Sequence, residues 1–231
     1  MGQKTPTFLL LPITPLAQSS DTSLIPLAPP TASTPIHHSV SLNKMKKKVI
    51  IEKQETDLGQ FVDARPLLLN GLLGRHIAKQ LQDRGDNVSV LDIVQRYDDI
   101  PFYHGDISDE AAVLSVLKQC GATCIIHCAS PHAKSAAPEQ FWKVNVDGTK
   151  ALIAASTRLG INKFVYTSSS GVVFDGSDLE NIDESHPYAR KPLDVYMETK
   201  VQAEKIVLAA NGKDGLSTVI LRPSGIFGKV S

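Results

Sequence analysis

From about residue 46 onward, short apolar runs alternate with stretches whose apolar positions recur at helical spacing. Val49–Ile51 and Leu67–Leu69 are both strand-like, separated by the polar stretch Glu52–Arg65, and one or the other forms the first strand. Leu72, Leu73, Ile77 and Leu81 lie on one face of a helix. Val88–Asp92 reads as a strand, and a short strand near Phe102-Tyr103 ends at Gly105-Asp106. Asp109 is placed to cap a helix running through Lys118, and 123–128 is again strand-like. Phe141, Val144, Leu152 and Ile153 mark the inner face of a helix over about 138–158. Phe164–Thr167 is a strand leading into Ser168-Ser169-Ser170, a helix follows over 195–210, and Thr218–Leu221 is a further strand. This alternation predicts an α/β fold, a doubly wound parallel sheet of Rossmann-like type. Such sheets hold their ligands beyond the carboxyl ends of the strands. Asp92, Asp106, Ala129-Ser130, Ser168–Ser170 and Pro223-Ser224 all fall there.

Residues 1–45 have a different character. They are rich in Pro, Ser and Thr, carry the single acidic residue Asp21 and show no period. We read them as a disordered extension, with a transit peptide as the alternative. Phe8–Pro12 is apolar but too short and proline-broken for a signal segment. The remainder, 46–231, is expected to be one nucleotide-binding domain.

Charge narrows the function classes. The 24 Lys and Arg balance the 24 Asp and Glu, so nothing favours a nucleic-acid partner. No apolar run approaches the ~18–20 residues of a membrane span, which points to a soluble or peripheral chain. The 3 cysteines, Cys120, Cys124 and Cys128, suit a reducing compartment. Cys124 and Cys128 share one strand-like run, about 13 Å apart at strand rise, too far to share one zinc ion. Buried thiols packing as small hydrophobes is the better account, and no metal is expected.

Tyr196 and Lys200 stand four residues apart, so on a helix the phenol and the ammonium share a face. A nearby ammonium lowers a phenol's pKa and suits it to acid/base work, with a serine hydroxyl close by to hold a substrate oxygen. Alone, such a pair is an ordinary feature of helix surfaces.

Further motifs are Gly105-Asp106-Ile107-Ser108, His127-Cys128-Ala129-Ser130-Pro131-His132 and Val144-Asn145-Val146-Asp147-Gly148-Thr149. Tyr166–Gly176, Tyr196-Met197-Glu198-Thr199-Lys200 and Leu221–Gly228 complete the set. Together they resemble the extended short-chain dehydrogenase/reductases, and within them the 3β-hydroxysteroid dehydrogenase family. Ser130-Pro131-His132 and Phe174-Asp175-Gly176 carry a narrower resemblance to fungal sterol-4α-carboxylate 3-dehydrogenases. The resemblance implies Tyr196 as acid/base, Lys200 as its pKa-lowering partner and a ribose ligand, and Ser169 as the group orienting the substrate oxygen. Ser168 is the next choice for that role. It implies Gly71, Gly74, Asp92, Asp106, Ile107, Ala129, Ser130, Pro223 and Ser224 as cofactor-binding. Asp92, about 20 residues past the glycine loop, favours NAD over NADP, with Arg96 nearby as the feature that would favour NADP. Asn145 is either a bridge to the site or purely structural. The implied substrate is a 3β-hydroxysterol with a 4α-carboxylate, and the family setting is the endoplasmic reticulum, with peripheral membrane association and a homodimer allowed. For this chain by itself a cytoplasmic location is expected. A sugar-nucleotide epimerase or reductase of the same superfamily, and a catalytically inactive nucleotide-binding fragment, remain as alternatives.

Two departures bear on activity. In Leu68-Leu69-Asn70-Gly71-Leu72-Leu73-Gly74, leucine stands where the first glycine of the phosphate loop is expected. Pro66 limits the strand before it to an edge or a strand start. The chain also stops at Ser231, where the family continues for on the order of a hundred residues, so most of the substrate lobe is expected to be missing. An altered splice product or imperfect gene reading, foreign over 46–69, is the expectation from these two features.

Overall fold

A computed structural model of the chain describes residues 7–9, 65–69, 72–132 and 136–226. Among these residues the sheet has seven strands: β1 (Thr7–Leu9), β2 (Pro66–Leu69), β3 (Ser89–Asp92), β4 (Phe102–His104), β5 (Cys124–His127), β6 (Lys163–Thr167) and β7 (Ser217–Leu221). All pairings are parallel, in the order β1-β7-β6-β5-β2-β3-β4. The strand order reverses at β2, and the crevice beside such a switch is where doubly wound sheets bind ligands.

Parallel strands need crossovers, and helices supply them. α1 (Leu72–Asp83) joins β2 to β3, and α2 (Glu110–Cys120) joins β4 to β5. Between β5 and β6 runs one helical rod: α3 (Pro138–Phe141), a π-helical turn (Trp142–Asp147) and α4 (Gly148–Leu159). A 3-10 turn (Ser170–Val173) and α5 (Val195–Ala210) lie between β6 and β7.

The side-chain alternation of the strands sorts the core into two layers. Leu91, Ile125, Phe164, Tyr166 and Ile220 pack with Val113 and Leu117 of α2, Leu152 of α4, and Ala203 and Val207 of α5. Val90 and Ile126, one residue along, face the opposite layer with Ile77, Ala78 and Leu81 of α1. Burying one such side chain is worth about 1.5–3 kcal/mol, so the larger layer holds most of the packing energy.

From residue 67 onward, the predicted elements fall within two or three residues of the observed ones. Asp109 caps α2, accepting from the amides of Ala111 and Ala112. Leu67–Leu69 lies in the sheet, and Val49–Ile51 falls outside the described residues. Pro66 begins its strand, as expected, but that strand is central, lying between β3 and β5. There proline costs little, because the first residue of a strand need not donate to the ladder.

Two expectations are corrected. Thr7–Leu9, assigned to the disordered extension, forms an edge strand beside β7, with Phe8 opposite Ile220. A β-prone triplet there satisfies main-chain groups that the edge of β7 would otherwise expose. Leu68, read as an intrusion into the phosphate turn, is not in the turn: it is paired with Val90 and Ile126 inside β2. Gly71 falls outside the described residues, while Gly74 is buried in the first turn of α1.

Candidate active site

Asp194 opens α5. Its carboxylate accepts from the Met197 amide at 2.7 Å, and this cap fixes where the first helical turn begins. Tyr196 lies in that turn and Lys200 one turn later, as the spacing predicted. The phenol ring meets the edge of Phe141 from α3, with centroids 5.9 Å apart.

Ser169 is the serine that reaches Tyr196, through a side-chain hydrogen bond. Its Oγ also accepts from the Gly171 amide at 3.1 Å and caps the 3-10 turn. A β carbon on Gly171 would sit 3.2 Å from Met197 Cε and 3.3 Å from Ser169 Oγ, so glycine there leaves room for the serine and the helix together. Ser168, the alternative register, is buried, and its Oγ has no partner.

Lys200 is only 2% exposed. Its Nζ donates to the Thr167 carbonyl at 2.9 Å and stands 5.0 Å from the centre of the Tyr166 ring and 6.0 Å from that of Tyr196. Burial pulls its pKa down to about 8, against the opposing influence of Cys128 and Glu204. The expected lowering of Tyr196 by Lys200 does not hold in this state. Burial pushes the phenol above its usual range, the Ser169 hydrogen bond opposes this, and Asp194 adds to it. The ammonium is directed at a carbonyl instead of the phenol oxygen, so its help is not expressed here.

Asn145 lies on the π-helical turn. Its Nδ2 donates to Thr199 Oγ1 at 3.0 Å, tying this turn to α5, and its Oδ1 is buried without a partner. π-turns inside helices often mark functional sites, and helical periodicity gave no sign of this one. His127, fully buried at the end of β5, is held neutral by burial and by Lys200, with its pKa near about 3. Its Nε2 meets Thr149 Oγ1 at 3.1 Å.

At the other end of the sheet, Asp92 closes β3. One carboxylate oxygen takes Arg96 at 3.1 Å and the other accepts from the Val94 amide at 3.3 Å. Asp106 binds Ser108 through one oxygen and Lys143 through the other at 2.7 Å. Hydrogen bonds from both partners, working against burial, lower its pKa. Ile107 is a correction of emphasis. Its side chain is core and packs so closely on Gly148 that a β carbon there would lie 2.6 Å from Ile107 Cδ1. Only its main chain is left to face a ligand. Ala129 and Ser130 are half-buried beyond β5. Pro223 and Ser224 are half-buried beyond β7, where the Ser170 amide donates to the Pro223 carbonyl at 2.9 Å. Among the described residues no group of three His, Cys, Asp or Glu is placed to hold a metal ion.

Glu204 and Arg222 have no role assigned from the sequence, although Arg222 lies within the motif Leu221–Gly228. Arg222 Nε and Nη2 grip the two Glu204 oxygens, each at 2.9 Å, in a buried fork-to-fork pair. The available signal was Glu204 standing one turn beyond Lys200 and Arg222 beginning the Arg-Pro-Ser strand end.

A doubly wound sheet with a serine, a tyrosine and a lysine at one end and carboxylates at the other is the build of a short-chain dehydrogenase/reductase. The chain belongs to the 3-beta hydroxysteroid dehydrogenase/isomerase family, whose sequence model matches residues 69–231. Sterol-4-alpha-carboxylate 3-dehydrogenase, decarboxylating, of Mus musculus is 43% identical over 162 residues, covering 69% of this chain and 44% of its own length. The enzyme of the same name from Candida albicans is 39% identical, covering 69% of this chain and 49% of its own length. The chain thus spans about half the length of the curated relatives it matches. Among solved structures, the NAD complex of Thermus thermophilus UDP-glucose 4-epimerase superposes with a TM-score of 0.62 at 26% identity, covering 68% of this chain and 54% of its own.

Proposed function

We propose that this chain forms the nucleotide-binding part of an NAD-dependent 3β-hydroxysteroid dehydrogenase of sterol biosynthesis, which oxidises the C3 alcohol of a 4α-carboxysterol. The observation that carries this reading is the contact of Ser169 with Tyr196 above a buried Lys200, at the carboxyl edge of a doubly wound sheet. The donor set fits a dinucleotide. Asp92 at the end of β3 suits a ribose diol and repels a 2′-phosphate, and Lys200 and Pro223-Ser224 lie at the opposite end, where the reacting ring belongs. Gly71, Gly74, Asp106, the Ile107 main chain, Ala129 and Ser130 would line the path between them.

Tyr196 Oη and Ser169 Oγ together hold the C3 hydroxyl. Tyr196 takes its proton as the C–H bond breaks, and the C–O bond becomes a ketone. NAD, when bound, would supply the hydride acceptor. Tyr196 takes the proton as its phenolate, and a positive charge from Lys200 turned towards it would favour that form against the burial that raises the phenol's pKa. The product is a β-keto acid, which loses CO₂ because its ketone stabilises the developing enolate. The chain itself has only the proton to handle.

Relatives at 43% and 39% identity bearing the sterol dehydrogenase name support this substrate class over the epimerase likeness at 26%. A sterol substrate also fits work at a membrane surface; among the described residues no helix is long and apolar enough to cross one. Mixing the purified chain with NAD and a 4α-carboxy-3β-hydroxysterol tests the reading. NADH absorbance and matching CO₂ release support it, whereas turnover of a UDP-sugar with no response to sterol refutes it.

A further inference from the structure

We propose that Arg222 and Glu204 are positioning residues, a clamp that holds the acid/base helix, the strand end facing the reacting ring and the loop 174–194 in one fixed arrangement. The inference rests on the oxidoreductase reading above. The clamp touches three elements at once. Glu204 lies on α5 one turn beyond Lys200, and Arg222 directly follows β7, next to Pro223. Arg222 Nη1 also donates to the Glu184 carbonyl at 3.3 Å, in the loop between the 3-10 turn and α5. Its guanidinium lies 5.4 Å from the centre of the Tyr188 ring in the same loop. That loop is fastened again where the Ala189 amide donates to the Val172 carbonyl, 2.9 Å away and three residues past Ser169.

Burial makes the arrangement rigid. The side chains of Arg222 and Glu204 are 6% and 0% exposed, so water cannot substitute for either partner. A guanidinium fork fixes angle as well as distance, which an ammonium does not. Buried ion pairs seldom add net stability over apolar packing, so this one is better explained by the geometry it imposes. That geometry sets Ser169, reached through the paired ends of β6 and β7, against Tyr196 on α5. The Ser168 amide donates to Leu221 at 2.7 Å and the Ser170 amide to Pro223 at 2.9 Å, so the serine edge moves with Arg222.

The test compares Arg222→Lys, which keeps the charge and loses the fork, with Glu204→Gln, which keeps the shape and loses the charge. A Glu204→Leu/Arg222→Met double variant covers the case in which a single change prevents folding. Amide hydrogen exchange is read over residues 183–190 and 195–200, with α2 as internal reference. The clamp predicts exchange at least about tenfold faster in both segments and unchanged in α2. It also predicts kcat down about tenfold or more, with KM for NAD within about twofold, because proton transfer depends steeply on geometry. Unchanged exchange in the folded variants, or a lowered Tm with kcat intact, would overturn it. A wild-type chain that fails to bind NAD defeats the oxidoreductase reading instead, and the exchange comparison still decides whether the clamp exists.

Discussion

At the β6–β7 end of the sheet, Lys200, Glu204 and Arg222 carry charge in an interior that water does not reach. At the β3–β4 end, Asp92–Arg96, Arg75–Asp99 and Lys143–Asp106 pair at the surface. The same kinds of side chain do different physical work in the two places. In the dry interior each charge shifts its neighbours' proton affinities and fixes position. At the surface, pairs are screened and exchange partners readily, which suits the proposed displacement of Arg96 from Asp92 by a ribose diol. On the function proposed above, chemistry belongs to the buried end and cofactor selection to the exposed one.

Perturbing the dry end should give the larger effects. Tyr196→Phe removes the proton acceptor, and turnover should fall on the order of 10²–10⁴-fold, with NAD affinity unchanged by calorimetry. Retained turnover would reassign the acid/base. Lys200→Met should make the ligand-free protein more stable at pH 7, on the order of 3 kcal/mol by chemical unfolding, while weakening NAD binding. The sign follows from its folded pKa of about 8 lying below that of an unfolded lysine, model value 10.5. Between those values the unfolded chain binds the extra proton, so wild-type stability rises with pH there, and the variant should lose that rise. His127 works in the same direction at lower pH. Its folded pKa near about 3 lies below the unfolded 6.5, so stability is lost as pH falls below 6.5. The slope from this one group is about 1.4 kcal/mol per pH unit, and His127→Gln should flatten it.

At the soft end the effects should be smaller and concern choice of ligand. Asp92→Ala should weaken NAD about tenfold and strengthen NADP, because Arg96 is released towards a 2′-phosphate. If NADP binding fails to improve, Arg96 does not face that position. Lys143→Ala should leave the unfolding midpoint within the scatter of repeated measurements, as expected for an exposed pair.

Much of this division was legible in the chain. Strand periodicity and helix caps placed the elements, because most apolar residues here serve a single layer. The family motifs marked both ends of the site. Three things were not legible, each set by tertiary context. The π-helical turn that turns Asn145 inward leaves little trace in a hydrophobic pattern of period near 3.6. The Arg222–Glu204 pair joins residues 18 apart whose meeting depends on the sheet. The direction of the Tyr196 shift followed from burial and from where Lys200 points, and spacing alone gives neither. Leu68 shows the converse error, since its place in a glycine motif misled until strand pairing put it inside β2.

The central claim is that this chain, with its two unlike ends, builds a working dinucleotide site. Unfolding the chain across a titration of NAD tests it most directly. The account predicts that stability rises with the logarithm of ligand concentration, reaching ~2.7 kcal/mol at 100 times the Kd. An unfolding curve that does not move at millimolar NAD would contradict it.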